Sequence, residues 1–365
     1  MMPYFTQWLL RWSVLFILLF IGSTKAATYC VSTSIQLQSA LNSANTNNQN
    51  NLIKIVQGIY FTPGSAFTYN LGGGKPPGRN LEISGGWWPA SGFLPCSQQN
   101  PNAFSTVLDG NNSNGVMQIR TENYSKITIN NLTFSHGISG AGGGLHVYSL
   151  LSNTEFKSFD LDHCAFLNNE ATVASALHVS GFDQVSVKNS LFVKNHAVLA
   201  ATVHLGQGDG YGIFFTNNTV TENTVSDNSL STAGVNINVS ESVLSALFNN
   251  ILWNNDNSDL NLVGYGTHHL YHNNIGIRTG NALHDDVGNM SIVPDFPFLV
   301  SEPYNYTLSL SSPLVNAGMH PSATLPQSWF LGSNDMLGRI RKQDGVVDIG
   351  ALETTPDLIF MNGFE

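Results

Sequence analysis

The sequence predicts an all-β solenoid of stacked parallel coils with a short N-terminal capping helix. An eight-residue strand pattern recurs at a mean spacing near 28 residues, asparagine stands at fixed places within each recurrence, and no amphipathic helix separates one strand from the next. One such unit cannot bury its apolar face alone, whereas a stack of them can.

The segments ITINNLTF (127–134), FDLDHCAF (159–166), VSVKNSLF (185–192), IFFTNNTV (213–220) and SALFNNIL (245–252) align without gaps. Their fifth positions are Asn131, His163, Asn189, Asn217 and Asn249, and a sixth segment, HLYHNNIG, places Asn273 in the same column. Apolar and polar residues alternate ahead of each bend, as in a strand with one buried face. Three residues past the closing apolar position a second asparagine recurs at Asn169, Asn195, Asn223 and Asn255. A further strand follows in GGLHV, SALHV, ATVHL, AGVNI and SDLNL, so each repeat reads as strand, bend, short strand, turn, strand.

Taken in chain order, residues 1–26 have the layout of a secretory signal peptide: Arg11, an apolar run from Ser13 to Gly22, then small residues that place cleavage after Ala26. The alternative is an uncleaved anchor. After cleavage no segment is apolar enough to span a bilayer. Loss of Arg11 and Lys25 from the 14 basic residues leaves 12 against 24 acidic ones, which argues against nucleic acid as a partner because phosphate binding needs a basic face.

Residues 27–50 read as an N-terminal cap, with Ser34 as helix N-cap and Leu37, Ala40, Leu41 and Ala44 on one face. Residues 51–310 form the repeats. Of the three cysteines, Cys30 and Cys96 lie in the irregular N-terminal part and are expected to pair, while Cys164 sits inside a repeat strand as a buried thiol.

The FxxN and GG[AG][IL] elements resemble the right-handed parallel β-helix family with the pectate lyase-like fold, over roughly residues 50–310. The resemblance implies about nine or ten coils. It leaves function open, because this scaffold carries lyases, hydrolases, adhesins and inert shells. Residues 311–353, through SSPLVNAG, NDMLGRIRKQDG and VDIGALE, resemble the bacterial choice-of-anchor Q module, with Asn316 where Asp is commoner. In it Arg339, Arg341, Asp344 and Asp348 read as a structural charged knot in a segment expected to cap the stack. The tail, 354–365, contains IFMNGFE, similar to an ending of secreted gammaproteobacterial proteins.

Candidate site residues follow from the strand alternation. His146, His178 and His204 occupy one column between inward-facing aliphatic residues, so they face outward one rung apart, as a surface for glycan or metal or as a ladder that holds register. A straight column converges poorly on one ion, and no metal site is assigned. Asp160, Asp162 and Asp183 are the candidate catalytic carboxylates. Asp160 and Asp162, two residues apart on one strand face, suit acid–base glycoside chemistry or a calcium ion, although no calcium motif is present and no cofactor is required; an ion pair between Asp162 and Lys188 is the competing reading.

Pectate lyase-like catalysis uses an Arg base beside acidic calcium ligands, and no Arg occurs between Arg120 and Arg278. Polygalacturonase-like hydrolases carry ordered NTD, DD, GHG and RIK motifs. Here His284-Asp285-Asp286 supplies a DD, but Ser135-His136-Gly137 only approximates GHG and precedes it. Asn123, Asn238 and Asn305 match glycosylation acceptors and read more simply as turn and ladder residues. The expectation is therefore an exported bacterial protein, secreted or at the cell surface, that binds polysaccharide or surface glycan without catalysis; the alternative is a polysaccharide lyase or glycoside hydrolase acting on acidic or plant-type polysaccharide.

Overall fold

The computed structural model describes residues 26–72, 79–89, 96–122, 125–150, 156–226, 232–297, 306–320, 331–342 and 345–354. The expected signal peptide up to residue 25, Asn123, Asn305, Asp344 and the tail from residue 355 lie outside them. The described residues form a parallel β-solenoid, 51% strand and 6% helix.

Three long columns of parallel strands form its walls, and a fourth, shorter one runs from Ile138–Ala141 through Glu170–Val173 and His196–Ala200 to Thr224–Val225. The first runs from Ala27–Val31 through Asn51–Val56, Leu81–Trp87 and Ser125–Ser135 to Thr267–Tyr271 and Asp285–Val287. The second runs from Phe67–Leu71 to Arg278–Gly280, and the third from Gly58–Phe61 to Asn274–Ile275. The solenoid makes about eight turns, fewer than the nine or ten expected, and its last regular strand is Asp285–Val287. Inward residues of all three columns merge into one core. In it Phe134, Phe166 and Phe192 stack at centroid spacings of 4.9 and 4.8 Å, the ring counterpart of the rung repeat.

Each coil bends through single residues in the left-handed region. At the first bend these are Asn131, His163, Asn189, Asn217, Asn249 and His272, with φ between 48° and 57°. Asparagine and histidine enter this region more readily than most residues. The sixth member is His272, which corrects the column read from sequence: Ser245 pairs with His268, so the last segment starts one residue earlier. Asn273 belongs instead to a neighbouring column with Asn218 and Asn250.

Two asparagine ladders satisfy the bends. Asn195 Oδ1 accepts from both the backbone N–H and the side-chain amide of Asn169, at 3.0 and 2.9 Å, and Asn223 and Asn255 repeat the arrangement. In the second ladder Asn250, Asn273 and Asn289 do the same, and Asn218 Oδ1 accepts the Ser190 N–H at its start. Most of these side chains are fully buried, where an unpaired amide would be costly.

At the start, helix α1, Ser34–Thr46, buries Leu37, Ala40, Leu41 and Ala44 over the first coil. Its N-cap is Thr33, one residue earlier than expected: Thr33 Oγ1 accepts from the Gln36 N–H at 3.2 Å. Cys30 and Cys96 form a disulfide, and Cys164 is free and buried. Ala27–Val31 already pairs in register with Asn51–Val56, so the segment expected to be only a cap contributes the first rung.

The described residues of the C-terminal segment pack against the side of the stack. They fold back along the outer face of the third column, where outward Ala165, Leu167, Leu191 and Val193 pack against Met336, Ala351 and Leu352. Farther along, Ile251 packs against Leu308, Leu314 and Ile349. The charged knot is structural and buried: Arg341 donates to Glu353 Oε1 at 2.8 Å, to the Gly350 and Ala351 carbonyls, and to Asn189 Oδ1 of the first-bend column at 2.7 Å. Asp348 accepts the Asn316 and Thr354 amides, and Asp335 those of Leu337, Arg339 and Glu353.

Asn195→Ala should lower the unfolding free energy by about 1–3 kcal/mol, because it strips partners from Asn169 inside the core. Arg341→Ala should lower it by about 3–5 kcal/mol, because Glu353, whose pKa burial already raises to about 8, the Gly350 and Ala351 carbonyls and Asn189 Oδ1 all lose their buried donor. Denaturant titration of the purified variants measures both.

Candidate functional site

The second column aligns His146, His178 and His204 in register. The row continues through Asn236, Asn261 and Thr279 in one direction and Gln118 and Thr68 in the other. Strand alternation produces it: Leu145, Val147, Leu177, Val179, Val203 and Leu205 are wholly buried, which turns the residues between them outward. Gly181 makes the corner that follows His178. Its φ is +77°, and a Cβ there would lie 2.4 Å from the Ser149 carbonyl oxygen.

The rings of His146 and His178 are stacked at 4.8 Å with planes 6° apart, and His204 meets His178 edge-on at 5.0 Å. Tyr148 lies 4.6 Å from His146 and extends the aromatic surface sideways. All three imidazoles are partly buried, and burial lowers their pKa values. At His178 burial, then the neighbouring His204 and His146, bring the value down to about 3. The row is therefore uncharged at neutral pH, and no carboxylate pairs with these rings among the described residues.

The carboxylate candidates separate into two places. Asp160 and Asp162 face outward from Lys157–Leu167 into an open cleft of about 400 Å³. Lys126 pairs with Asp160 at 3.1 Å and Lys188 with Asp162 at 3.4 Å. His163 Nδ1 is 2.7 Å from Asp162 Oδ1, which also accepts from the Asn189 amide at 2.9 Å. Burial raises the Asp162 pKa, but His163, Lys188 and Asn189 together outweigh it and hold the carboxyl below its ordinary value. Asp183 does not line this cleft; it sits at the corner before the first-column strand and accepts the Lys157 amide at 2.6 Å.

Sequence reasoning found the Asp162–Lys188 pair but missed Gln99, Pro101 and Asn334, which complete the cleft wall. These come from outside the repeats, so no periodic signal marks them. It also missed a cluster at the last rung, where His269, His284 and Asp285 converge. The one-residue slip in the sixth segment hid it, since correct register sets His269 directly over Asp285.

No protein-family model matches this chain, and no curated protein matches it. The class that the geometry defines is a parallel β-solenoid with an uncharged imidazole–amide row on one face and an ion-paired cleft on another. Among the described residues no helix is long and apolar enough to cross a membrane.

The row generates a pH prediction. In the unfolded chain His178 titrates near its ordinary 6.5, and in the folded chain near 3. Above 6.5 both forms are neutral; as pH falls from 6.5 toward 3 the unfolded chain takes up a proton that the folded chain excludes, so stability falls across that window. Unfolding midpoints measured from pH 7 to 4 should drop less in His178→Asn than in the parent chain, and equal slopes would refute the buried neutral imidazole.

Proposed function

We propose that this chain is an exported bacterial protein, secreted or held at a gammaproteobacterial cell surface, that binds polysaccharide or surface glycan as a noncatalytic adhesive module. In this reading the scaffold is a right-handed β-helix of the pectate lyase-like type, and residues 311–353 are a choice-of-anchor Q-like module. The observation that carries the reading is the in-register row from Thr68 through His146, His178 and His204 to Thr279, with Tyr148 beside it. Rungs about 4.8 Å apart present repeated amides, hydroxyls and neutral rings along a line. A linear chain of sugars offers hydroxyl groups and apolar ring faces in a repeating series, so many weak contacts form together and add through effective concentration.

The carboxylates support the noncatalytic side. A general acid needs a carboxyl raised toward neutral pH, whereas Asp162 is lowered and Asp160 is held by Lys126. The specific observation favouring the enzyme reading is the cleft itself, whose volume of about 400 Å³ suits a sugar unit and whose Lys126 and Lys188 suit an acidic one. That reading makes the protein a polysaccharide lyase or glycoside hydrolase.

One experiment addresses both. The chain beginning at residue 27 is incubated with a panel of acidic and neutral glycans, and binding and product release are read together. Binding without products is expected, weakened at least tenfold by the combined His146→Ala, His178→Ala and His204→Ala variant whose fold is checked by circular dichroism. Release of unsaturated or shortened oligosaccharides, lost in Asp160→Asn with Asp162→Asn, would replace the adhesive reading with the enzymatic one.

A further inference from the structure

We propose that His269, His284 and Asp285 form a binding site for one divalent first-row transition-metal ion that clasps the last two coils of the solenoid. The site is separate from the imidazole row and from the cleft, and it does not depend on the glycan reading.

Its geometry comes from register. Thr267–Tyr271 and Asp285–Val287 are paired with His269 opposite Asp285. His269 Nδ1 consequently lies 2.7 Å from Asp285 Oδ2. His284, the residue before the strand, brings its ring centroid to 4.7 Å from that of His269. One donor atom from each of the three lies within 4.8 Å of the others. His269 is buried and fixed, Asp285 is partly buried, and His284 is exposed, so the last ligand has rotamer freedom to complete the set.

The surrounding groups hold two of the ligands in place. The Tyr271 hydroxyl donates to Asp285 Oδ2 at 2.6 Å, and Tyr271 is itself stacked on Phe248 at 5.0 Å beneath Leu331 and Val347 of the C-terminal segment. Thr267 Oγ1 lies 3.1 Å from His269 Nε2, which leaves Nδ1 directed at the carboxylate. Such outer contacts orient imidazole and carboxylate ligands in metal sites generally.

Two imidazoles and one carboxylate select a borderline cation such as zinc over calcium, which prefers six or more oxygens. At metal–ligand distances of about 2.0–2.1 Å, tetrahedral donors stand roughly 3.3 Å apart. His269 and Asp285 therefore separate by about half an ångström when the ion enters, and the proton they share leaves to solvent. The remaining coordination position faces water. Asp285–Val287 is a short, largely exposed terminal strand, so the ion ties it to the coil behind it.

The test uses the chain from residue 27 with Zn²⁺ followed by calorimetry and Co²⁺ followed by its visible spectrum. One ion per chain is expected, with a higher unfolding midpoint and no displacement by excess Ca²⁺. His284→Ala, at an exposed position that should leave folding intact, and Asp285→Asn should each weaken Zn²⁺ binding at least 100-fold, and Tyr271→Phe about 10-fold. The variant lacking the three histidines of the row should bind as the parent does. No Zn²⁺ binding, unchanged affinity in His284→Ala and Asp285→Asn, or displacement by Ca²⁺ would each overturn the proposal.

Discussion

A parallel coil must leave strand geometry several times per turn inside a stack that water does not enter, and every amide freed at those bends needs a partner. The buried asparagine ladders meet that demand. Beyond the first rung of each ladder, each Oδ1 accepts two hydrogen bonds from the asparagine of the preceding coil while the side-chain amide returns a bond to a backbone carbonyl, as Asn195 does with Phe166. Because a ladder works only when rungs are stacked in register, it also sets which residues meet from coil to coil. The imidazole row, the Asp162–Lys188 pair and the His269–Asp285 contact all inherit their alignment from it.

One scaffold thus carries faces of different chemistry. On the second column burial keeps the histidines neutral, so they offer rings and single donors in place of charge. On the first column outward positions begin as a charged cleft at Asp160 and Asp162. They continue as an apolar strip at Ala246 and Phe248 under the C-terminal segment and end at the His269 cluster. Position along the stack, not local sequence, separates these environments, which is why the fold by itself leaves function open.

The C-terminal segment shows how a solenoid can spend outward apolar residues. Leu191 and Val193 flank inward Phe192, and strand alternation alone would leave both in water. The segment covers them and is anchored by Arg341, whose guanidinium is wholly buried and donates through its two terminal nitrogens to Glu353, two carbonyls and Asn189. Asn189 serves two ends: its amide donates to Asp162 in the cleft, and its oxygen accepts from Arg341. The cleft and the C-terminal segment are consequently coupled through this bend residue, as they are through the contact of His163 with the Asn334 carbonyl.

Periodicity made the repeats, the bend asparagines and the outward histidines legible from residues alone, since each depends on contacts between equivalent positions of adjacent coils, and the capping helix was legible from its own apolar face. The Cys30–Cys96 pairing was legible by elimination among three thiols. Register at the last coil was not, because Asn273 and Asn274 follow His272 and offer an equally good match one residue off; only backbone pairing decides between them. Where the C-terminal segment lies, which distant residues wall the cleft, and that His269 meets His284 and Asp285 were decided by the tertiary structure. Those contacts join parts of the chain that share no period, and only burial of the outer apolar face and satisfaction of buried charges bring them together.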